Sequence, residues 1–580
     1  MVPFWLRSMT QPTISAPGDL ERAIRHHQAG ELDAANGIYR RILASDPNHA
    51  DALNLAGVVA HQTGDQESAI RLIGQAISIN DASASYFNNL GEAYRAFGQN
   101  QEAINAYRQA LKINPGDVAA NNNLGLSFQA LQRYDDARAA YERALSLAPN
   151  DVEVLLNLGN LHREFSRLEE SAHAFRQAIG ISPGLAAARG CLGVTLYEAG
   201  DSQGAVAALM KAVELDPLYV EAHENLKKVR WFRGEHDRVD DSFRAACERM
   251  PDSAGACHNL GAALLVSRDY AGAENAFLRA TQLLPESGDA FHGLGKAYHH
   301  LNRLEDSLAA HQRAVACAPG NALFREEFGA TLIRAGDYQR AVDELRTGHQ
   351  LNPRRSTILA FLSIALNEAG DSSVDALVDY EKFVRVARIA VPQGYDSLEA
   401  FNADLHEEIQ SHYHNPYHPM DQTMRGGIQT PNNLFQNPRG LVSVLKDQIS
   451  EVVRQFIDDL EADRDHPFLR FINRDFVFTG VWSTIIEESG YDRSHVHNEG
   501  WMSGTYYAKV PDFDETQLGE HDGCIQFGEP NTMYASARNG TRRIITPQVG
   551  TVVLFPSYYW HGVRKFDRNG VRHSVSYDLI

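Results

Sequence analysis

Cysteine is scarce in these 580 residues. The five present, Cys191, Cys247, Cys257, Cys317 and Cys524, are scattered, odd in number and form no C-x-x-C pair. That disfavours a disulfide framework and fits a reducing compartment, each thiol being expected as a small buried apolar group. Positive charge is also short: 54 Lys and Arg stand against 74 Asp and Glu, a formal charge of −20. A general attraction to nucleic acid or to an anionic membrane is therefore not expected. Long uncharged apolar runs are missing. The opening stretch, Met1-Val-Pro-Phe-Trp-Leu-Arg-Ser-Met9, is too short for a signal peptide or a membrane span. Residues 1–17 read as a disordered leader, with Met9 as an alternative start, and the chain reads as soluble and cytoplasmic. Its length calls for two or more domains.

What the chain does have is periodicity. Proline, or once aspartate, recurs every 34 residues at Pro47, Asp81, Pro115, Pro149, Pro183, Pro217, Pro251, Pro285, Pro319 and Pro353. Glycine keeps the same phase at Gly57, Gly91, Gly125, Gly159, Gly193, Gly261, Gly295 and Gly329, with Lys227 in place of one member. Alanine does so at Ala76, Ala110, Ala144, Ala178, Ala212, Ala246, Ala280 and Ala314. Each unit then reads as two antiparallel helices. The glycine lets the first approach the second, opposite small residues such as Ala69, Ala103 and Ala137. The alanine lets the next unit stack, and the proline stops the second helix. Tyr94, Tyr107, Tyr141 and Phe175 fill the gaps. One unit cannot bury its apolar face alone, but a stack can. The pattern resembles the tetratricopeptide repeat and implies a superhelical α-solenoid of about ten or eleven units over 18–385. Two units depart from it. The unit with Lys227 and Val239 lacks both small residues, so its helices are expected to splay. The last, with Ser363 and Asp375, reads as a cap.

Asn89, Asn123, Asn157, Asn225 and Asn259 share one position in the first helix, two residues before the glycine. This is similar to the asparagine ladder in the repeat domain of the nucleocytoplasmic O-GlcNAc transferase. Each amide offers a donor and an acceptor to the backbone of an extended peptide. The alternative is that these amides cap local backbone or face water.

The periodicity stops near residue 385, and 386–580 read as a second domain. Leu398, Phe401, Leu405 and Ile409 mark a helix over 398–413, and 439–460 read as another. A loop runs from 412 to 438. Short strands are expected at 475–486, 502–510, 524–527, 551–555 and 571–578, as in a sandwich or jelly roll.

Three motifs in these strands carry chemistry. In Ser494-His495-Val496-His497, strand alternation lets both imidazoles reach one metal ion. Pro556-Ser-Tyr-Tyr-Trp-His561 follows another strand, and Arg572-His573-Ser574 lies eleven residues after His561. This order resembles the 2-oxoglutarate- and Fe(II)-dependent dioxygenases, whose fold is the double-stranded β-helix or jelly roll. The segments Gly426–Thr430, 495–507, 550–557 and 572–578 resemble a bacterial and phage subgroup of them. The resemblance implies His495 and His561 as metal ligands. It implies Arg572 on the far carboxylate of 2-oxoglutarate, where a guanidinium fork suits the group, and Ser574 and Tyr507 as its helpers. O₂ is the implied co-substrate. His497 stands where the family has a carboxylate. Three readings stay open: three histidines ligate, Glu499 ligates in a shifted frame, or His497 only supports the site. Imidazole does not by itself distinguish iron from zinc. The loop histidines His412, His414, His418 and His521 read as surface. Trp482, Trp501 and Trp560 read first as core, with Trp501 and Trp560 the better pocket candidates.

The leading expectation is a dioxygenase that hydroxylates a protein or peptide bound by the repeat groove. The alternative is a non-catalytic repeat scaffold for protein–protein interaction with a degenerate oxygenase domain. Glycosyl transfer is disfavoured, because no doubly wound βα units are seen.

Overall fold

The computed structural model describes residues 18–411, 424–430, 433–436, 438–498, 500–510, 523–534, 538, 542–565 and 570–580. Residues 1–17, His412, His414, His418, Glu499 and His521 lie outside the described residues.

The repeats follow the sequence period. First helices begin at Ala50, Ala84, Val118, Val152, Ala186, Val220, Ala254, Gly288, Ala322 and Ser356, each 34 residues after the last. Each second helix ends just before the periodic proline, as at Ile113 and Leu147, where the next residue turns to an extended backbone. A further series lies between the helices. Residues 64, 98, 132, 166, 200, 234, 268, 302, 336 and 370 all have positive φ, and Gln132, Ser166, Arg268 and Asn302 adopt it without being glycine. The nearest neighbours of the periodic glycines are not the small residues expected. Ala69, Ala103 and Ala137 are buried at 0% exposure, but a Cβ on Gly91 or Gly125 would sit 2.5 or 2.6 Å from the ring of Tyr107 or Tyr141. The glycine is thus a seat for the large residue sixteen positions on, and filling it costs about 1–3 kcal/mol of overpacking.

Compactness divides the chain at Met1–Ala246 and Cys247–Ile580 rather than near 385. In the first unit, the repeat with Lys227 shows an ion pair where a splay was expected. Lys227 Nζ is buried 2.9 Å from Asp240 Oδ1. The first turn of the second helix is replaced by the 3₁₀ turn His236–Arg238, and the α-helix begins only at Asp241. A lysine in the glycine position needs a counter-charge, and the unwound turn supplies Asp240.

The second unit carries its last repeats and a β-sheet domain on one apolar core. Phe328, Leu345 and Leu362 of the repeat helices share that core with Phe401, Val453, Tyr506 and Tyr577. The final first-type helix, Ser356–Ala369, is followed by two single-turn helices. The expected helices form as Leu398–Gln410 and Gly440–Asp459, and Leu398, Phe401, Leu405 and Ile409 are all buried.

The strands are β1 (Arg385–Arg388), β2 (Met424–Gln429), β3 (Phe478–His495), β4 (Met502–Lys509), β5 (Ile525–Phe527), β6 (Arg543–Ile545), β7 (Thr551–Pro556), β8 (His561–Val563) and β9 (Arg572–Leu579). β1, β2, β6 and β8 were not expected. They form one antiparallel sheet in the order β1-β7-β4-β9-β3-β8-β5-β6, with β2 also on β3. β1 pairs Arg385 with Leu554, so the sheet begins at the very end of the stretch assigned to the repeats. Among the described residues, no helix is long and apolar enough to cross a membrane.

Candidate metal centre

β3 and β8 pair His495 directly with His561. β3 ends at His495, and the chain turns so that His497 donates its backbone N–H to the Ser557 carbonyl at 3.0 Å. One ring nitrogen from each of His495, His497 and His561 falls within a mutual distance of 4.8 Å. It is the one such metal-competent group among the described residues.

The other ring nitrogens fix the tautomers. His495 Nδ1 lies 2.8 Å from the Arg493 carbonyl, and His561 Nδ1 2.8 Å from the Tyr559 carbonyl. His497 Nδ1 lies 2.5 Å from Asp578 Oδ1. Each acceptor demands a proton on Nδ1, which leaves each Nε2 as a lone pair. The Nε2 atoms of His495 and His497 face each other at 3.3 Å. Two lone pairs repel at that distance unless a cation lies against both. Burial holds His561 well below the usual imidazole pKa, with neighbouring His495 and His497 adding to it. Burial lowers His495 as well. Both rings are therefore neutral at pH 7, which is the ligating form.

The three imidazoles line a cavity of about 420 Å³ together with Arg572, Ser574, Ser576 and Asp578. Alternation on β9 explains the set, because residues 572, 574, 576 and 578 share one face. Arg572 is 3% exposed. One Nη lies 3.4 Å from the Tyr507 hydroxyl, the guanidinium carbon lies 5.1 Å from the Tyr507 ring centre, and Nε is buried without an acceptor. A buried guanidinium with an unused N–H suits an incoming carboxylate. Burial raises the Tyr507 phenol, and Arg572 partly opposes it, so Tyr507 stays protonated and able to donate.

Two expected pocket residues lie elsewhere. Trp501 stacks on Phe468 at 5.0 Å, donates to its carbonyl at 2.8 Å and lines a separate cavity with Leu359 and Phe471. Trp560 donates its indole N–H to the Ala360 carbonyl at 3.2 Å. Both point from their loops toward the last repeat helix, because the strand positions that face the metal are taken by the histidines. Trp482 lines the metal cavity instead, 5.5 Å from the His497 ring. Asp578 was missed as a partner of His497. Its spacing of two, four and six residues from Ser576, Ser574 and Arg572 was the available signal.

In the first unit the asparagines bond between repeats. Asn89 donates to Asn54 Oδ1 at 3.0 Å and Asn157 to Asn122 Oδ1 at 2.9 Å. Asn123 donates to Glu92 at 3.0 Å and toward Asn88 at 3.4 Å. Asn225, and Asn259 in the second unit, are half-buried.

Residues 480–578 match the family model described as "Putative 2OG-Fe(II) oxygenase". Tetratricopeptide-repeat models match 20–86, 88–151, 122–186, 190–217 and 258–322. The chain joins tetratricopeptide repeats to a 2OG-Fe(II) oxygenase-family domain. All three histidines, Arg572, Ser574 and Asp578 fall inside the match to that oxygenase family. No curated protein matches the chain. Among solved structures, the chain is similar to MamA at 23% identity, over 30% of this chain and 97% of that one, with a TM-score of 0.27. It is also similar to PilW, described as a type IV pilus biogenesis factor, at 20% identity over 36% and 96%, with a TM-score of 0.34. A tetratricopeptide repeat protein from Parabacteroides merdae matches at 20% identity over 39% and 90%, with a TM-score of 0.34.

Proposed function

We propose that the oxygenase-family domain is an Fe(II)- and 2-oxoglutarate-dependent dioxygenase of the double-stranded β-helix type. Its substrate is a protein or peptide held by the repeats. The observation that carries the reading is the convergence of three imidazole lone pairs and one buried, under-used guanidinium on a single cavity. His495, His497 and His561 would hold the iron on one face, leaving positions for 2-oxoglutarate and O₂. When bound, iron and the oxo-acid supply the oxygen-activating chemistry, with succinate and CO₂ as co-products. Arg572 would hold the far carboxylate, with the Ser574 hydroxyl beside it and Tyr507 fixing the guanidinium plane. Trp482 and Phe555 exclude water from the cavity wall. His497 takes the carboxylate's place as ligand, and Asp578 supplies negative charge from the far side of the imidazole ring, at Nδ1.

The repeats support a peptide substrate through their amide rows. Asn89 and Asn157 each donate one N–H to the preceding repeat, and an amide has a second N–H and carbonyl lone pairs to offer a peptide backbone.

A non-catalytic scaffold is the competing reading, favoured by the lack of a carboxylate in the three-residue cluster. Anaerobic addition of Fe(II) and 2-oxoglutarate separates the two. The enzyme reading expects a weak visible charge-transfer band, succinate on admitting air, and loss of both in Arg572→Ala. Wild-type protein giving neither band nor succinate supports the scaffold. A +16 Da shift on cellular peptides that disappears in an Arg572→Ala strain identifies the substrate.

A further inference from the structure

Two of the three imidazoles, His497 and His561, lie next to loop residues that bond to a single repeat helix, Ser356–Ala369. Ser356 and Ala360 are four residues apart, so they lie one turn apart on one face of that helix. The Ser356 hydroxyl donates to the Gly500 carbonyl at 2.5 Å. The Ala360 carbonyl accepts the Trp560 indole N–H at 3.2 Å.

Each contact leads to a ligand. Trp560 immediately precedes His561. Its ring is buried, and Phe361 meets it edge-on at 5.8 Å, so helix and indole are locked together. Gly500 is pressed against the support of His497. A Cβ there would fall 2.5 Å from Ser557 Oγ and 3.3 Å from Asp578 Cβ. Ser557 Oγ lies 2.7 Å from Ser503 Oγ, and Ser503 donates to Asp578 Oδ1 at 2.6 Å. That same oxygen holds the His497 ring. The Ser557 carbonyl also accepts the His497 backbone N–H. The helix is in turn fixed to the preceding repeat. Glu326 pairs with Arg355, with one arm at 3.1 Å, and accepts the Thr357 hydroxyl at 2.7 Å. Ser356 lies between those two anchors.

We propose that this terminal repeat helix is a positioning element of the metal centre, acting through Ser356 on His497 and through Trp560 on His561. The inference rests on the metal-centre reading above and adds to it a helix outside the family match. Neither residue touches the ion. Each sets the ring orientation that makes three Nε2 atoms share one point, and outer partners of this kind are worth about 10–100-fold in metal affinity.

Co(II), which reports ligand geometry through its visible bands, tests this in the full-length chain. Trp560→Phe keeps a six-membered aromatic ring and removes the N–H together with the pyrrole part of the indole. Ser356→Ala removes only the hydroxyl, and Ser356→Thr restores one. The expected result is a Co(II) affinity lowered at least about tenfold in Trp560→Phe and in Ser356→Ala, with altered band positions. Each variant deletes one buried hydrogen bond, so a small drop in the thermal melt is expected. The deciding readout is the affinity and spectrum of the folded protein, and Ser356→Thr should recover both. A merely structural role would move the melt and leave the spectrum of the folded protein alone. Wild-type affinity and spectrum in both variants overturn the proposal while leaving the metal centre standing. Co(II) binding that survives His561→Ala overturns the metal centre, and the proposal with it.

Discussion

Asp578 shows how one carboxylate can govern a metal site without reaching the ion. It holds His497 Nδ1 at 2.5 Å, and its oxygen is held in turn by Ser503. Asp578→Asn keeps an acceptor of similar shape but removes the charge. Fe(II) or Co(II) affinity, measured by competition with a chelator, is expected to fall about 10–100-fold. An unchanged affinity would show that His497 is oriented by packing alone. The histidines, Arg572 and Ser574 were legible because their relation is local: alternation on a strand and a short motif. Asp578 was not, because it lies 81 residues from His497. The two meet only through the register of β9 against β4, where Ser503 faces Asp578. Trp501 and Trp560 misled for the opposite reason. They flank the motifs in sequence, yet neighbours on a turn point away from the ligands.

Among the elements, the pair Gly288–His300 and Leu304–Cys317 carries an unusual seat. His311 occupies the position held by Phe175 and Phe277 in other repeats, with its ring against Gly295 and its Nδ1 at 2.9 Å from Thr331 Oγ1. Burial pushes this histidine down to about 4. In the unfolded chain it titrates near 6.5. The unfolded state therefore binds a proton that the fold refuses, and stability falls as pH drops from about 6.5 to about 4. The slope is about 1.4 kcal/mol per pH unit for this group. His311→Phe should reduce the fall in melting temperature between pH 7 and pH 5 without abolishing it, because burial also holds His292 and His299 down at about 3. A wild-type-like slope in that variant would count against the assignment. The repeat period and the helix pair in each unit were legible because three phased series mark them. The short strands were not. β8 is only His561-Gly562-Val563, and its β character comes from pairing with β3 and β5 rather than from its own pattern. The unwound turn at Lys227 was half legible: the missing glycine announced a disturbance, but not that Asp240 would answer it.

At the scale of the whole molecule, the family match and the compact unit do not coincide. The match starts at 480, whereas the unit starts at Cys247. Tyr558 donates to the Leu377 carbonyl at 2.8 Å, His466 bonds the Ala376 carbonyl at 2.9 Å, and Arg538 bonds the Glu368 carbonyl at 3.1 Å. A fragment of residues 386–580 leaves these groups, and the rings of Trp560 and Tyr559 that pack on Phe361 and Tyr380, without their cover. A fragment of residues 247–580 keeps them. Calorimetry is expected to give one cooperative transition for 247–580 and none for 386–580. A cooperative melt of 386–580 at the temperature of the longer fragment would show that the shared core is dispensable. The mixed core also limits how such a protein can be re-engineered or diversified by recombination. A crossover placed at the onset of the sheet would divide Phe328, Leu345 and Leu362 from the side chains they interlock with. New recognition units can be spliced in only upstream, so the final repeats must travel with the catalytic domain as one inherited block.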